Sequence, residues 1–336
     1  MNTQIYRKSG FHLFARLAVC LVLVLIVMTV SSGCRPSDKN SPDDGKLDVI
    51  TTIFPPYDFA RQIGGDHVNV TMLLPPGSES HTYEPTPREV VRIAKCDLFI
   101  YNGGLSDSWV ERLLAAAELD PAKTLRMMDF VSLIEESEDG VLDHDHDHDE
   151  HNHEGESDLH EYDEHIWTNP QNALRISEGI TEWLCETDPS HADYYRARMA
   201  SYGNDLRALD ETFRDIVNRG ARSEIIVADR FPLIYFTSAY KLDYMAAFPG
   251  CAAETDPKPK TVAAIIDKVR DDHIPYIFFI EFSSRQLSGL IAEETGAEEL
   301  LFHTAHNVAK EDFEAGVTYL EIMKQNTENL RRGLGE

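Results

Sequence analysis

Two sets of short β-branched runs, each alternating with segments of helical period, most constrain the fold of this chain. The first set reads LDVITTIF (47–54), VNVTMLLPPG (68–77) and DLFIYNG (97–103), and KTLRMMDF (123–130) closes that half. The second reads EIIVAD (224–229), LDYMAAF (242–248), YIFFIEF (276–282) and EELLFH (298–303). Runs this uniformly apolar suit strands that are covered by helices on both faces. The intervening segments, such as TPREVVRIAKC (86–96) and TVAAIIDKVRDD (261–272), carry apolar residues at helical spacing. SDSWVERLLAAAEL (106–119) opens with a cap, Ser106 or Asp107. A last helix is expected from Glu311 to about Leu334. Strand–helix alternation predicts a mostly parallel sheet, and two sets predict two similar α/β lobes.

Between the sets the period is helical almost throughout. NPQNALRISEGITEWLCETD (169–188) reads as one helix. A second follows from Pro189, suited to a first turn, to Gly220, suited to an end. A helix of that length spans about 45 Å, more than one lobe needs, so it is expected to join the two rigidly. A ligand site then falls in the crevice between lobes, at the carboxyl ends of strands.

The N-terminus lies outside this plan. Arg7, Lys8 and Arg16 precede the apolar run LAVCLVLVLIVMTV (17–30), which is short for a membrane span and right for a signal sequence. SSGC (31–34) follows at once and is similar to a bacterial lipoprotein cleavage site, with Cys34 as the lipidated residue. RPSDKNSPDDGK (35–46) reads as a polar tether. The expected plan is therefore a signal peptide at 1–33 and a lipidated tether at 34–46. An N-terminal lobe at 47–188, a linking helix at 189–220 and a C-terminal lobe at 221–336 follow. Such a chain sits outside the cytoplasm, anchored to the bacterial cell membrane by lipid, and a monomer is expected. Five cysteines are too few for a disulfide scaffold, and no spacing selects a pair among Cys96, Cys185 and Cys251.

The formal net charge of -27 argues against nucleic acid as a partner and makes cations the natural ligand class. Within the first lobe, DHDHDHDEHNHEGE (143–156) alternates His144, His146, His148, His151 and His153 with carboxylates, and His160 follows. The tract has too few apolar residues for a core and is expected to be a loop, 143–160, that collects metal as an accessory. Three further histidines stand at the ends of buried elements. His81 lies in the proline-rich PPGSESHTYEPTP (75–87), His165 in DEHIWTNP (163–170) and His303 in LLFHTAHN (300–307), with His306 three residues on. Neutral imidazole at such positions is a metal ligand by chemistry.

The segment ITTIFPPYDFARQIGGDHVNVTMLLPPGSESHTYEPTPREVVRIAKCDLFIYNG closely resembles the zinc- and manganese-binding lipoproteins of ABC metal importers. HIWTNPQNA resembles their second signature, and the His-rich acidic loop resembles that of the zinc-type members. The likeness covers roughly residues 47 to 333. It implies two α/β lobes, a rigid connecting helix and one metal between the lobes. It also implies an ABC permease and its ATPase as partners. The family's first two ligand histidines fall on His81 and His165. Its last, commonly Asp, falls on His303. Its third falls on Arg230 in VADRFPLIYF, and arginine cannot ligate a metal. Asp229 is the expected substitute, with Glu254, Glu281 and His306 as alternatives.

Three imidazoles and one carboxylate suit tetrahedral Zn²⁺, the expected cargo, whereas Mn²⁺ prefers more carboxylate and water. The expected function is the extracytoplasmic metal-binding component of an importer. A manganese-specific protein of the same class, and an extracellular zinc-binding adhesin or buffer, are the alternatives. No enzyme is expected. A secreted zinc hydrolase would need an open metal position beside a general base, and only Glu281 or Glu84 offers one.

Overall fold

Every residue of the strand Leu98–Tyr101 is buried, and so is most of Glu224–Val227. Each of these two runs lies inside a parallel sheet in a computed structural model that describes residues 45–79, 83–116, 118–136, 162–248, 250 and 257–336. The first sheet contains β1 (Leu47–Thr51), β2 (Val68–Met72), β3 (Leu98–Tyr101) and β4 (Thr124–Arg126), in the order β2-β1-β3-β4. The second contains β5 (Glu224–Val227), β6 (Asp243–Ala246), β7 (Tyr276–Phe279) and β8 (Glu298–Leu301), in the order β6-β5-β7-β8. All pairings within both are parallel, with Val49 level with Val70 and Leu98 in the first sheet. The two sheets thus share one strand order.

Side chains alternate across a strand, and here the alternation sorts them into separate cores. Val49, Leu98, Ile100 and Leu125 of the first sheet join Ile225, Val227, Phe278 and Leu300 of the second in one large cluster. The opposite faces form two smaller clusters, one around Ile50, Phe99 and Tyr101 and one around Ile226, Met245 and Ile277.

The helices are α1 (Phe54–Gly64), α2 (Pro87–Ile93), α3 (Ser108–Ala115), α4 (Pro170–Thr187) and α5 (Ala192–Arg219). In the second half they are α6 (Ile234–Tyr240), α7 (Pro259–Asp271), α8 (Gln286–Thr295), α9 (Lys310–Ala315) and α10 (Tyr319–Leu334). The long α5 packs along α4, α10 and α1, and places Tyr195, Leu206 and Phe213 in the shared core. Its 28 residues are preceded by a separate 3-10 turn at Pro189–His191.

Several local expectations are corrected. The run expected to be strand through Phe54 ends at Thr51, because Pro55 and Pro56 suit the first turn of α1 and cannot donate to a sheet. The last helix is broken at Gly316, which has φ 79, into α9 and α10, and Arg61 donates to the carbonyls of Gly316 and Val317 at the break. Thr318 and Glu321 then form a capping box for α10. Asp107 stands at the N-cap of α3, but its carboxylate turns back to the amides of Asn102 and Gly103 instead of capping the helix. Among the described residues no helix is long and apolar enough to cross a membrane. Cys34 and Cys251 lie outside the described residues. Cys96 and Cys185 are free thiols, and burial pushes the Cys96 thiol up to about 12.

Candidate metal centre

His165 opens the 3-10 turn Ile166–Thr168 that leads into α4, and only 2% of it is exposed. Asn169 caps α4 by accepting from the Gln171 amide. Asp163 fixes the imidazole. Its Oδ1 lies 3.1 Å from His165 Nδ1 and accepts the His165 backbone N–H at 2.8 Å. A carboxylate on one ring nitrogen selects the Nδ1–H tautomer and leaves Nε2 as the electron-pair donor. The Tyr235 hydroxyl donates to the Asp163 carbonyl at 3.1 Å and accepts from the Ile134 amide at 3.0 Å. A residue of the second half therefore holds the turn of the first.

The turn after β8 comes up against this one. Trp167 Nε1 donates to the Thr304 carbonyl at 2.8 Å, and Tyr319 donates its hydroxyl to the Trp167 carbonyl at 2.7 Å. Ala305 has φ 60, a left-handed position uncommon for a residue with a side chain. That bend sets two histidines facing differently. The His306 ring stands 5.2 Å from the His165 ring and 5.1 Å from Trp167. His303 instead accepts the Ala305 amide on Nδ1 at 3.0 Å, with Glu281 Oε2 3.7 Å from the same nitrogen. A neutral imidazole that accepts on Nδ1 carries its proton on Nε2. Of the two, the structure brings His306 to His165.

The carboxylates expected nearby serve the backbone. Glu281 accepts the amides of Thr304 at 2.7 Å and His306 at 3.3 Å, and so shapes the histidine-bearing turn. Asp229, buried at the end of β5, accepts the amides of Arg230 at 2.8 Å and Ile280 at 3.4 Å. Arg230 Nη1 reaches Glu79 Oε2 at 3.4 Å, and Asn307 Nδ2 donates to the carbonyls of Pro75 and Ser78 at 2.9 Å each. These contacts fasten the loop that leads toward position 81 to the second half of the chain. A cavity of about 250 Å³ opens here, lined by Ser78, Glu79, Arg230, Glu281, Thr304 and His306, among others. A narrower recess on the other side of His306 is lined by Thr52, Asn102, Asp107 and Glu164. Burial pushes the Asp107 carboxyl up to about 7, with the Glu164 charge adding to the rise and the Gly103 and Asn102 amides opposing it.

His81, Glu254 and the loop histidines His144, His146, His148, His151, His153 and His160 lie outside the described residues. Among the described residues, no three His, Cys, Asp or Glu side chains are gathered as a metal site. Sequence reasoning missed Asp163, although its place two residues before His165 in DEHIW was a readable signal for a carboxylate–imidazole pair.

A family model described as "Zinc-uptake complex component A periplasmic" matches residues 49–333. The high-affinity zinc uptake system protein ZnuA of Bacillus subtilis is 29% identical over 324 residues, covering 96% of this chain and 99% of that protein. The zinc-binding lipoprotein AdcA of Streptococcus pneumoniae is 29% identical over 289 residues. The match covers 86% of this chain and 56% of AdcA, so the chain spans about half of that relative. Among solved structures, the metal-dependent lipoprotein YcdH of Bacillus subtilis superposes with a TM-score of 0.70 at 26% identity, covering 86% of this chain and 100% of that one. The Zn(II)-bound ZnuA-like domain of pneumococcal AdcA superposes with a TM-score of 0.70 at 24% identity, covering 87% and 100%. The last likeness speaks for the fold alone.

Proposed function

The chain belongs to the zinc-uptake complex component A family, and from that premise we propose that it captures Zn²⁺ outside the cytoplasm and delivers it to a membrane permease coupled to an ATPase. The single observation that carries this reading is His165, buried and held by Asp163 with Nε2 as donor, 5.2 Å ring to ring from His306. His81, which lies outside the described residues, supplies the third imidazole in this reading. In this reading His306 takes the place that the family resemblance gives to His303. Asp229 keeps the β5 and β7 ends in register through its two amide contacts and supports the site from behind.

Three neutral imidazoles leave one position of a tetrahedral Zn²⁺ open and favour zinc over Mn²⁺. A hydrolytic reading is less well supported, because the oxygens of Glu281, the carboxylate best placed as a general base, are held by Thr304 and His306. The segments 47–188 and 221–336 act as the two walls, and the helix at 189–220 limits how far they part. Cys34 carries lipid and keeps the protein at the membrane surface. The acidic histidine tract at 143–160, which lies outside the described residues, gathers zinc as an accessory with weaker, separate sites in this reading.

The test is a competition titration with Zn²⁺ and Mn²⁺ on the full chain, a version lacking 143–160, His306→Ala and His303→Ala. One tight zinc site should survive the loop deletion while weak sites disappear. His306→Ala should cost more than about 100-fold in zinc affinity, beyond the range typical of lost supporting contacts, and His303→Ala about 10-fold or less. Loss of all tight binding with the loop would place the site in the tract. Preference for Mn²⁺ would favour the manganese alternative.

A further inference from the structure

Three aromatic residues tie the turn that carries His165 to the second half of the chain, and they grip it at different points. Trp167 reaches the Thr304 carbonyl and Tyr319 reaches the Trp167 carbonyl, so both hold the turn beyond the imidazole. Tyr235 instead meets Asp163, the residue whose carboxylate fixes the ring. We propose that Tyr235 is a positioning residue for metal retention, through which the readiness of His165 depends on the second half of the chain staying in place. This rests on the metal-capture reading above.

The Asp163 main chain is held on both sides. Its amide donates to the Ile134 carbonyl at 3.0 Å, and its carbonyl accepts from the Tyr235 hydroxyl at 3.1 Å. The same hydroxyl accepts from the Ile134 amide at 3.0 Å, so it bridges two chain segments that Glu135 and Tyr162 pair just beyond. With both peptide planes fixed, the side-chain direction of Asp163 is fixed too, and its Oδ1 meets both the amide and Nδ1 of His165. Tyr235 is buried in α6, and burial, opposed by the Ile134 amide, pushes its phenol up to about 12. The hydroxyl therefore remains a donor wherever imidazole can bind a metal. A hydrogen bond is lost beyond about 3.5 Å, so a small withdrawal of α6 from the first half is enough to free the Asp163 carbonyl. A group that orients a ligating imidazole is worth about 10–100-fold in metal affinity. Tyr235 makes part of that factor conditional: the metal is held tightly while the halves are together and loosened as they part.

Chelator competition for zinc on the full chain, with Tyr235→Phe, Asp163→Ala and the double variant, tests the idea. Tyr235→Phe keeps the ring and removes both hydrogen bonds, so it should bind zinc about tenfold more weakly and release it faster. Asp163→Ala should cost about 10–100-fold. The double variant should match Asp163→Ala within about twofold, because Tyr235 acts through Asp163. Coupling is reciprocal, so zinc should slow hydrogen exchange of the wild-type Ile134 amide about tenfold. That slowing should exceed any at the amides of α7, whose Ile265 and Val269 pack in a separate cluster. The exchange readout needs no variant to fold. Additive losses, unchanged affinity in Tyr235→Phe, or Ile134 protection that rises no more than that of α7 would overturn the role of Tyr235 and leave metal capture standing. Failure of the wild-type protein to hold zinc would overturn the capture reading itself.

Discussion

Asp107 shows what one buried carboxyl does to the pH response of the molecule. Its folded value is pushed up to about 7 from an ordinary 3.8, chiefly by burial. Between those values the folded protein holds a proton that the unfolded chain has released. Stability from this group is therefore highest in acid and falls as pH rises through the folded value, by up to about 1.4 kcal/mol per pH unit. With metal removed by a chelator, urea midpoints should drop from pH 5 to pH 7, and Asp107→Asn, whose carbonyl can still accept from Asn102 and Gly103, should flatten that drop. Equal slopes in the two proteins would show that Asp107 is not the responsible group. The sequence marks Asp107 only as a helix cap, because nothing local reveals that β3 ends with two amides facing it. The same limit governs His303 and His306. Both were visible in LLFHTAHN, but which one meets His165 depends on the left-handed bend at Ala305, a tertiary fact. His165 was legible as it stands, since the apolar Ile166 and Trp167 that bury it are its neighbours.

At the scale of elements, period and composition carried most of the information. Seven of the eight strands described fall within runs read as strands, because burial on both faces leaves little choice of residue, whereas β4 lies in KTLRMMDF, which carries no such pattern. Ends of elements were less legible, as at Gly316, where Arg61 from a helix more than 250 positions away satisfies the freed carbonyls. Gly333 in α10 is another position decided from a distance. A Cβ there would approach Phe278 Cζ to 2.4 Å, and Phe278 is 1% exposed in the middle of the second sheet. Replacing a helical glycine by alanine gains at most about 1 kcal/mol of helix propensity, and less in a last turn such as that of Gly333. Forcing a methyl group into packed aromatic carbon costs about 1–3 kcal/mol. The ring is buried in the shared core, so the packing cost should win. Gly333→Ala is expected to lower stability by about 1 kcal/mol, read as a shifted urea midpoint at unchanged slope, whereas a stabilised variant would mean that α10 slides easily over β7.

For the whole molecule, two sheets invite the expectation of two independently stable halves, and the contacts argue otherwise. Residues from both sheets and from α5 share one hydrophobic cluster. Asp58 in α1 accepts the Tyr319 amide at the start of α10, and Tyr57 lies 5.0 Å ring to ring from Phe313 in α9. The chain after β8 thus returns to pack on the first half, and residues 45–336 form one compact unit. Neither half can lose its structure without exposing the apolar face of the other. Urea unfolding should therefore be a single transition, coincident by far-ultraviolet circular dichroism and by fluorescence of the buried Trp167. Zinc that binds only the folded state should move that transition as a whole, adding about 2.7 kcal/mol when free zinc stands at a hundredfold its dissociation constant. His306→Ala should abolish the zinc-dependent part and leave the single transition intact. Two separated transitions, with zinc shifting only one, would mean that the halves are coupled by the metal rather than by the shared core, and α5 would then be a tether and not the spine of one cooperative body.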